Sequence, residues 1–93
     1  MNRFLVNWIR RALNQLAAIW TGSTDRNAVT AAAALIDSEL TIDPATKGKP
    51  HGARFRTFRA PPLIVLFQVL DQDCRVDIVS VKRIGDPVNG SKP

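Results

Sequence analysis

With 93 residues the chain has room for one domain and a thin core, because a domain of this size hides only about 60 to 65% of the surface its unfolded chain exposes. Its 45% apolar residues exclude a disordered chain, and its single cysteine, Cys74, excludes both an internal disulfide and a Cys-x-x-Cys zinc site. Thirteen Lys and Arg against eight Asp and Glu give a formal net charge of +5, which points to an anionic partner, nucleic acid or an acidic protein, rather than to a membrane.

The first element is RFLVNW at 3–8, where Phe4, Val6 and Trp8 alternate with Arg3, Leu5 and Asn7 as in a half-buried strand. The apolar run around it is too short for a signal peptide or a membrane span, so a cytoplasmic protein is expected. From Ile9 the period becomes helical. Ile9, Ala12, Leu13, Leu16, Ile19 and Trp20 form a stripe, with Arg10, Arg11, Asn14 and Gln15 facing away. This predicts a helix over 9–20, ended by Gly22 in a positive-φ turn.

STDR opens a second helix, with Ser23, Thr24 or Asp25 as its N-cap and Val29, Ala32, Ala33, Ile36 and Leu40 as its apolar stripe. Pro44 stops it and pushes Asp43 toward extended geometry. Two helices joined by a short loop predict an antiparallel hairpin.

A loop at 45–53 leads into RFRTFR (54–59), the second strand, which Pro61 and Pro62 break. LIVLFQVL (63–70) is apolar almost throughout and reads as a central strand covered on both faces. DQD at 71–73 is a turn, and CRVDIVSVKRI (74–84) is the fourth strand, with Cys74 as a buried, inert thiol. The expected fold is α+β in the order β-α-α-β-β-β, a helix hairpin on one face of a small, mainly antiparallel four-stranded sheet. Residues 1–84 form the domain, and 85–93, rich in Gly and Pro, a flexible tail.

The cations cluster. Lys47, Lys49, Arg54, Arg56 and Arg59 fall within KGKPHGARFRTFR together with the one histidine, His51, and no acid. Cleavage of RNA by its own 2′-hydroxyl needs a base, an acid for the leaving oxygen and charge on the phosphorane, and does not require a metal. Arg54 and Arg56, two residues apart, leave one strand on the same face and suit paired hydrogen bonds to a phosphate. Of Lys82 and Arg83 only one can join them, because they point to opposite faces. His51 is the one side chain whose ordinary titration falls near neutrality.

Plainer roles stand beside these. Arg54 and Arg56 also suit a solvated sheet face, or a grip on an acidic partner segment. His51 also suits an idle surface position, Trp8 and Trp20 suit packing, Asp71 and Asp73 suit a turn, and Asp37 and Glu39 suit a solvated helix face.

In their order, WIRRALNQLAAIW, AALIDSELTIDP, the Gly/Lys loop with its basic strand, and PPLIVLFQVLDQDCRVDIVSVKR resemble the RelE/ParE family of bacterial type II toxin–antitoxin toxins over about residues 3–84. The resemblance implies a small toxin neutralised by an acidic, partly disordered antitoxin. RelE-like members cut messenger RNA in the ribosomal A site, and ParE-like members poison DNA gyrase. It implies catalytic roles for Arg54, Arg56, Arg83 and His51, phosphate or RNA contacts for Lys47, Lys49, Arg59 and Lys82, and no cofactor or metal. Where relatives carry a third-strand arginine this chain has Ile64, and it has no tyrosine. Besides a ribonuclease, a non-enzymatic gyrase-binding toxin and a non-toxic orphan of the family fit these features.

Overall fold

Strand β1 (Leu5–Trp8) leads into helices α1 (Arg10–Gly22) and α2 (Arg26–Leu40), and four strands follow: β2 (Lys49–His51), β3 (Phe55–Ala60), β4 (Leu63–Leu70) and β5 (Arg75–Arg83). The computed structural model describes residues 3–84, so the tail expected at 85–93 lies outside the described residues. The sheet has five strands in the order β1-β5-β4-β3-β2, not the expected four. β1 runs parallel to β5 at one edge, and every other pairing is antiparallel.

The added strand is β2, three residues inside the expected loop. Gly48 and Gly52 bracket it at φ +66° and +74°, conformations that glycine adopts without steric cost. Pro50 is tolerated there because β2 lies at the sheet edge.

Both helices lie on one face of the sheet. Ala12, Val29, Ala32, Ile36 and Leu40 pack onto Ala60, Leu63, Val65, Phe67, Val76, Ile78 and Val81. Phe4, Val6 and Trp8 join this core, as their alternation predicts. β4 is the central strand, but it is covered on one face only: Leu63, Val65 and Phe67 are buried, whereas Ile64, Leu66, Gln68 and Leu70 are half-buried on the side away from the helices. A two-helix hairpin has apolar stripes enough for one sheet face.

Several local expectations are corrected. Helix α1 ends without a positive-φ glycine. The Ser23 amide donates to the Trp20 carbonyl, the Ser23 hydroxyl to Ile19, and the Arg26 guanidinium to the carbonyls of Trp20 and Thr21. Asp25 is the N-cap of α2, yet its side chain bonds no helix amide. It takes the Arg83 guanidinium at 3.0 Å instead, since a charged donor is the stronger partner. Asp43 is left-handed (φ 49°) rather than extended, a conformation that Asp tolerates better than most residues. Cys74 is also left-handed (φ 48°) and half-buried; it precedes β5 rather than lying within it.

Gln15 does not face away from the molecule. β1 ends at Trp8, opposite Ile78, so the outer edge of β5 beyond that point has no neighbouring strand. Gln15 reaches over from α1, and its Oε1 accepts the Val81 amide at 2.9 Å. Without that acceptor a buried N–H would be left unsatisfied.

Candidate functional site

The uncovered sheet face is a grid whose rows follow from strand register. Arg59, Ile64 and Lys82 lie side by side across β3, β4 and β5. The next row is Lys49, Thr57, Leu66 and Ser80. The row after it starts with His51 beside Phe55 and continues through Gln68, Asp77 and Asn7. In each row the residues come from neighbouring strands and leave the sheet on the same side.

A β-bulge decides which end-of-chain cation belongs here. Leu66 pairs with Ser80 but Phe67 with Ile78, so Val79 is an extra residue in β5. A strict two-residue alternation from Arg75 and Asp77 would carry Arg83 onto the open face and Lys82 beneath the helices. The bulge inverts this. Ser80 and Lys82 face outward, Val81 is buried, and Arg83 turns toward the helices.

The sequence-derived candidates therefore divide. Lys49, His51, Arg59 and Lys82 share the open face, and all four are exposed. His51 and Lys82 line a shallow depression of about 180 Å³ with Thr57, Ile64, Leu66 and Ser80. Lys49 and Arg59 border a second depression, of about 250 Å³, on the β2 side. None of these four side chains has a hydrogen bond or ion pair among the described residues.

The pair expected to lead the site, Arg54 and Arg56, borders one depression of about 200 Å³ with Pro50, Phe55 and Val69, but Arg56 does not reach the open face. Arg54 lies in the turn before β3, so it shares no strand face with Arg56. Arg56 stands opposite buried Phe67, on the same side as Phe58 and Ala60, which is the helix side. Its guanidinium donates to the carbonyls of Lys47 (2.8 Å) and Gly48 (3.2 Å), which fixes the loop that launches β2. Arg83 bonds Ser23 and Asp25, and Lys47 bonds Glu39 at 3.0 Å. These contacts tie loops to helices, and they engage three of the cations that the sequence offered to a phosphate.

Three further acids are engaged too. On the open face, Asp77 accepts Arg75 at 2.9 Å and Asn7 at 3.1 Å. Asp37, expected to be merely solvated, accepts the Trp8 indole N–H at 3.3 Å. The Arg83 guanidinium bonded to Asp25 holds that carboxyl below the usual carboxylate range. Among the described residues, no three His, Cys, Asp or Glu side chains are grouped so as to hold a metal ion, and no helix is long and apolar enough to cross a membrane.

Thr57, Leu66 and Ser80 are members of the site that sequence reasoning missed. Thr57 lies two residues before Arg59 and therefore on its face, a signal present in the sequence; Ser80 required knowledge of the bulge. The helices have a surface feature of their own, an apolar groove of about 430 Å³ between α1 and α2, lined by Leu13, Leu16, Trp20, Val29 and Ala33 among others. On its rim, the Arg26 guanidinium lies 4.9 Å from the centre of the Trp20 ring, whose N–H bonds Thr30.

No protein-family model matches the sequence, and no curated protein matches it either. Solved structures do match the fold. The structure of the RelBE2 toxin–antitoxin complex from Mycobacterium tuberculosis contains a chain similar over 92% of this one and 97% of its own length, with a TM-score of 0.77 and 20% identity. A chain of the chromosomal ParDE system from P. aeruginosa matches over 88% of this chain and 97% of its own, with a TM-score of 0.64 and 18% identity. A free mutant form of the E. coli toxin RelE matches over 91% and 86%, with a TM-score of 0.62 and 22% identity. At these identities the likeness establishes the fold, two helices on one face of a mixed five-stranded sheet.

Proposed function

We propose that this chain, which has the fold of RelE and ParE toxins, is itself a toxin of that family, neutralised by a cognate antitoxin, and that it blocks translation by cleaving messenger RNA on the ribosome. The observation that carries this reading is the open face. Lys49, Arg59 and Lys82 come from three strands to one uncovered surface beside His51, with no carboxylate among them and no partner among the described residues. Unpaired cations on a surface suit a phosphate chain. The apolar floor of Ile64 and Leu66 lowers the local dielectric beneath it.

In this mechanism Lys49, Arg59 and Lys82 hold the scissile phosphate and offset the charge that builds as the 2′-oxygen attacks. His51, at the lip of the same depression, transfers a proton to or from a reacting oxygen. The hydroxyls of Thr57 and Ser80 supply neutral hydrogen bonds. Arg56 and Arg83 act at a distance, by holding the β2 loop and the end of β5.

The test is induced expression with mapping of RNA ends. The wild-type chain is expected to arrest growth and to leave transcripts cut within codons. A Lys49→Ala, Arg59→Ala, Lys82→Ala triple variant is expected to do neither. A folded triple variant that still cuts would overturn the mechanism, and harmless wild-type expression would favour a non-toxic member.

One observation favours a second reading. The groove between α1 and α2 is open and apolar, with Leu13 50% and Trp20 44% exposed. A chain acting through protein contact, as ParE-like toxins do on gyrase, would use such a surface rather than the cations. DNA breakage with intact transcripts, retained by the triple variant, would select that reading.

A further inference from the structure

We propose that Phe55 and Gln68 form a nucleobase subsite beside the cationic cluster, one that selects adenine in a single-stranded RNA. The inference rests on the phosphate-binding reading of the open face and specifies which base that face prefers.

Phe55 is the observation that starts it. The chain has four phenylalanines. Phe4, Phe58 and Phe67 belong to the core or pack against it, whereas Phe55 does not. It sits at the start of β3, half-buried, with the parity of Thr57 and Arg59, which assigns it to the open face, and it also borders the depression of Arg54 and Arg56 at that end of the strand. His51 is its cross-strand neighbour on β2. On β4 its neighbour is Gln68, one step beyond the Arg56–Phe67 pair. A phenyl ring left on a polar, cationic sheet face costs hydration and supports nothing beneath the helices. A base stacked on it would cover that ring, and a stack of this kind supplies much of the affinity when sheets bind single strands.

Gln68 then supplies hydrogen bonds to the base edge. Its side chain is half-buried, and its amide has no hydrogen-bond partner among the described residues. The next residue in its row, Asp77, is held by Arg75 and Asn7, so the far wall of the subsite is built and already neutralised. A carboxamide presents one donor and one acceptor side by side, the pattern that pairs with adenine N6 and N7. Unpaired uracil can meet the same carboxamide through N3–H and O4 but stacks over a smaller area, so the preference for adenine comes from the Phe55 stack. Thr57 and then Arg59 continue along β3 from Phe55 at about 7 Å per two-residue step, so the phosphates attached to the bound base run toward the cations.

The experiment is fluorescence anisotropy with labelled eight-nucleotide oligoadenylate and oligouridylate at low salt. The wild-type chain is expected to bind oligoadenylate more tightly. Phe55→Leu, which keeps apolar bulk, is expected to weaken oligoadenylate binding about tenfold, and Phe55→Tyr to retain it. Gln68→Leu is expected to weaken both oligonucleotides about fivefold, because it removes a donor and an acceptor that either base can meet. Lys82→Ala is expected to weaken both oligonucleotides alike and to flatten the salt dependence. If Lys82→Ala weakens both but Phe55→Leu weakens neither, the base subsite is overturned and the phosphate face stands. If Lys82→Ala changes nothing, the phosphate face falls and the subsite with it. Equal wild-type affinity for the two oligonucleotides overturns adenine selection.

Discussion

At Gly48 the backbone runs at φ +66°, and a Cβ there would lie 1.8 Å from the carbonyl oxygen of Thr57. Both facts forbid a side chain, so Gly48→Ala must pull β2 away from β3 or strain the turn. The left-handed conformation alone costs a non-glycine residue about 1 to 2 kcal/mol. The expected result is a melting temperature lower by roughly 10 °C, together with loss of whatever Lys49 and His51 do, read by thermal unfolding and by the oligonucleotide assay. Arg83 and Asp25 give a second outcome at this scale. Because Arg83 lowers the Asp25 carboxyl below its ordinary value, the folded state binds that proton less readily than the unfolded chain does. The stabilisation is therefore complete above the ordinary carboxylate range and is lost as pH falls through it and below. Denaturant unfolding of wild type and Arg83→Gln should differ most at about pH 6 to 7 and by less as pH falls below the ordinary carboxylate range, where the Ser23 contact of Arg83 remains. A gap that does not narrow at low pH would show that the Arg83–Asp25 contact does not set its pH dependence.

Among the elements, the helices and β4 were legible in the sequence because their apolar spacing is regular. Val29, Ala32, Ile36 and Leu40 are buried as the helical stripe requires, and β4 occupies residues 63–70 as the apolar run implies. What escaped reading was short or irregular. β2 is three residues with a proline at its centre, so only the flanking Gly48 and Gly52 announce it. The bulge at Val79 shows in the sequence only as the adjacent apolar pair Ile78 and Val79, which breaks the alternation, and it exchanges Lys82 for Arg83 on the open face. The basic cluster was legible as composition, but alternation counted from Arg54 chose the wrong parity; counted from Lys49 and Arg59 it gives the open face. Gln15 belongs to this scale as well, since it joins α1 to the free edge of β5. Gln15→Leu leaves the Val81 amide without an acceptor and is expected to cost about 1 to 3 kcal/mol, with faster hydrogen exchange at that amide than at Val65. Ile36→Ala, in the middle of the helix–sheet contact, is expected to cost about 2 to 5 kcal/mol by denaturant unfolding.

For the whole molecule, one layer of helices on a five-stranded sheet leaves the second face uncovered. Net charge then sets the character of binding. Three cations on that face, each meeting a phosphate of a single strand, predict that affinity falls roughly 20-fold between 50 and 200 mM salt. A binding isotherm without salt dependence would be incompatible with a phosphate surface. The sheet also joins the two ends of the described chain: Leu5 to Trp8 pair with Arg75 to Ile78, and among the described residues no other strand pairs with β1. A nascent polypeptide therefore cannot finish its architecture until its last strand has been synthesised, and that strand carries Ser80 and Lys82. Every shorter product made on the way leaves β1 without the strand it pairs with and the open face without Lys82.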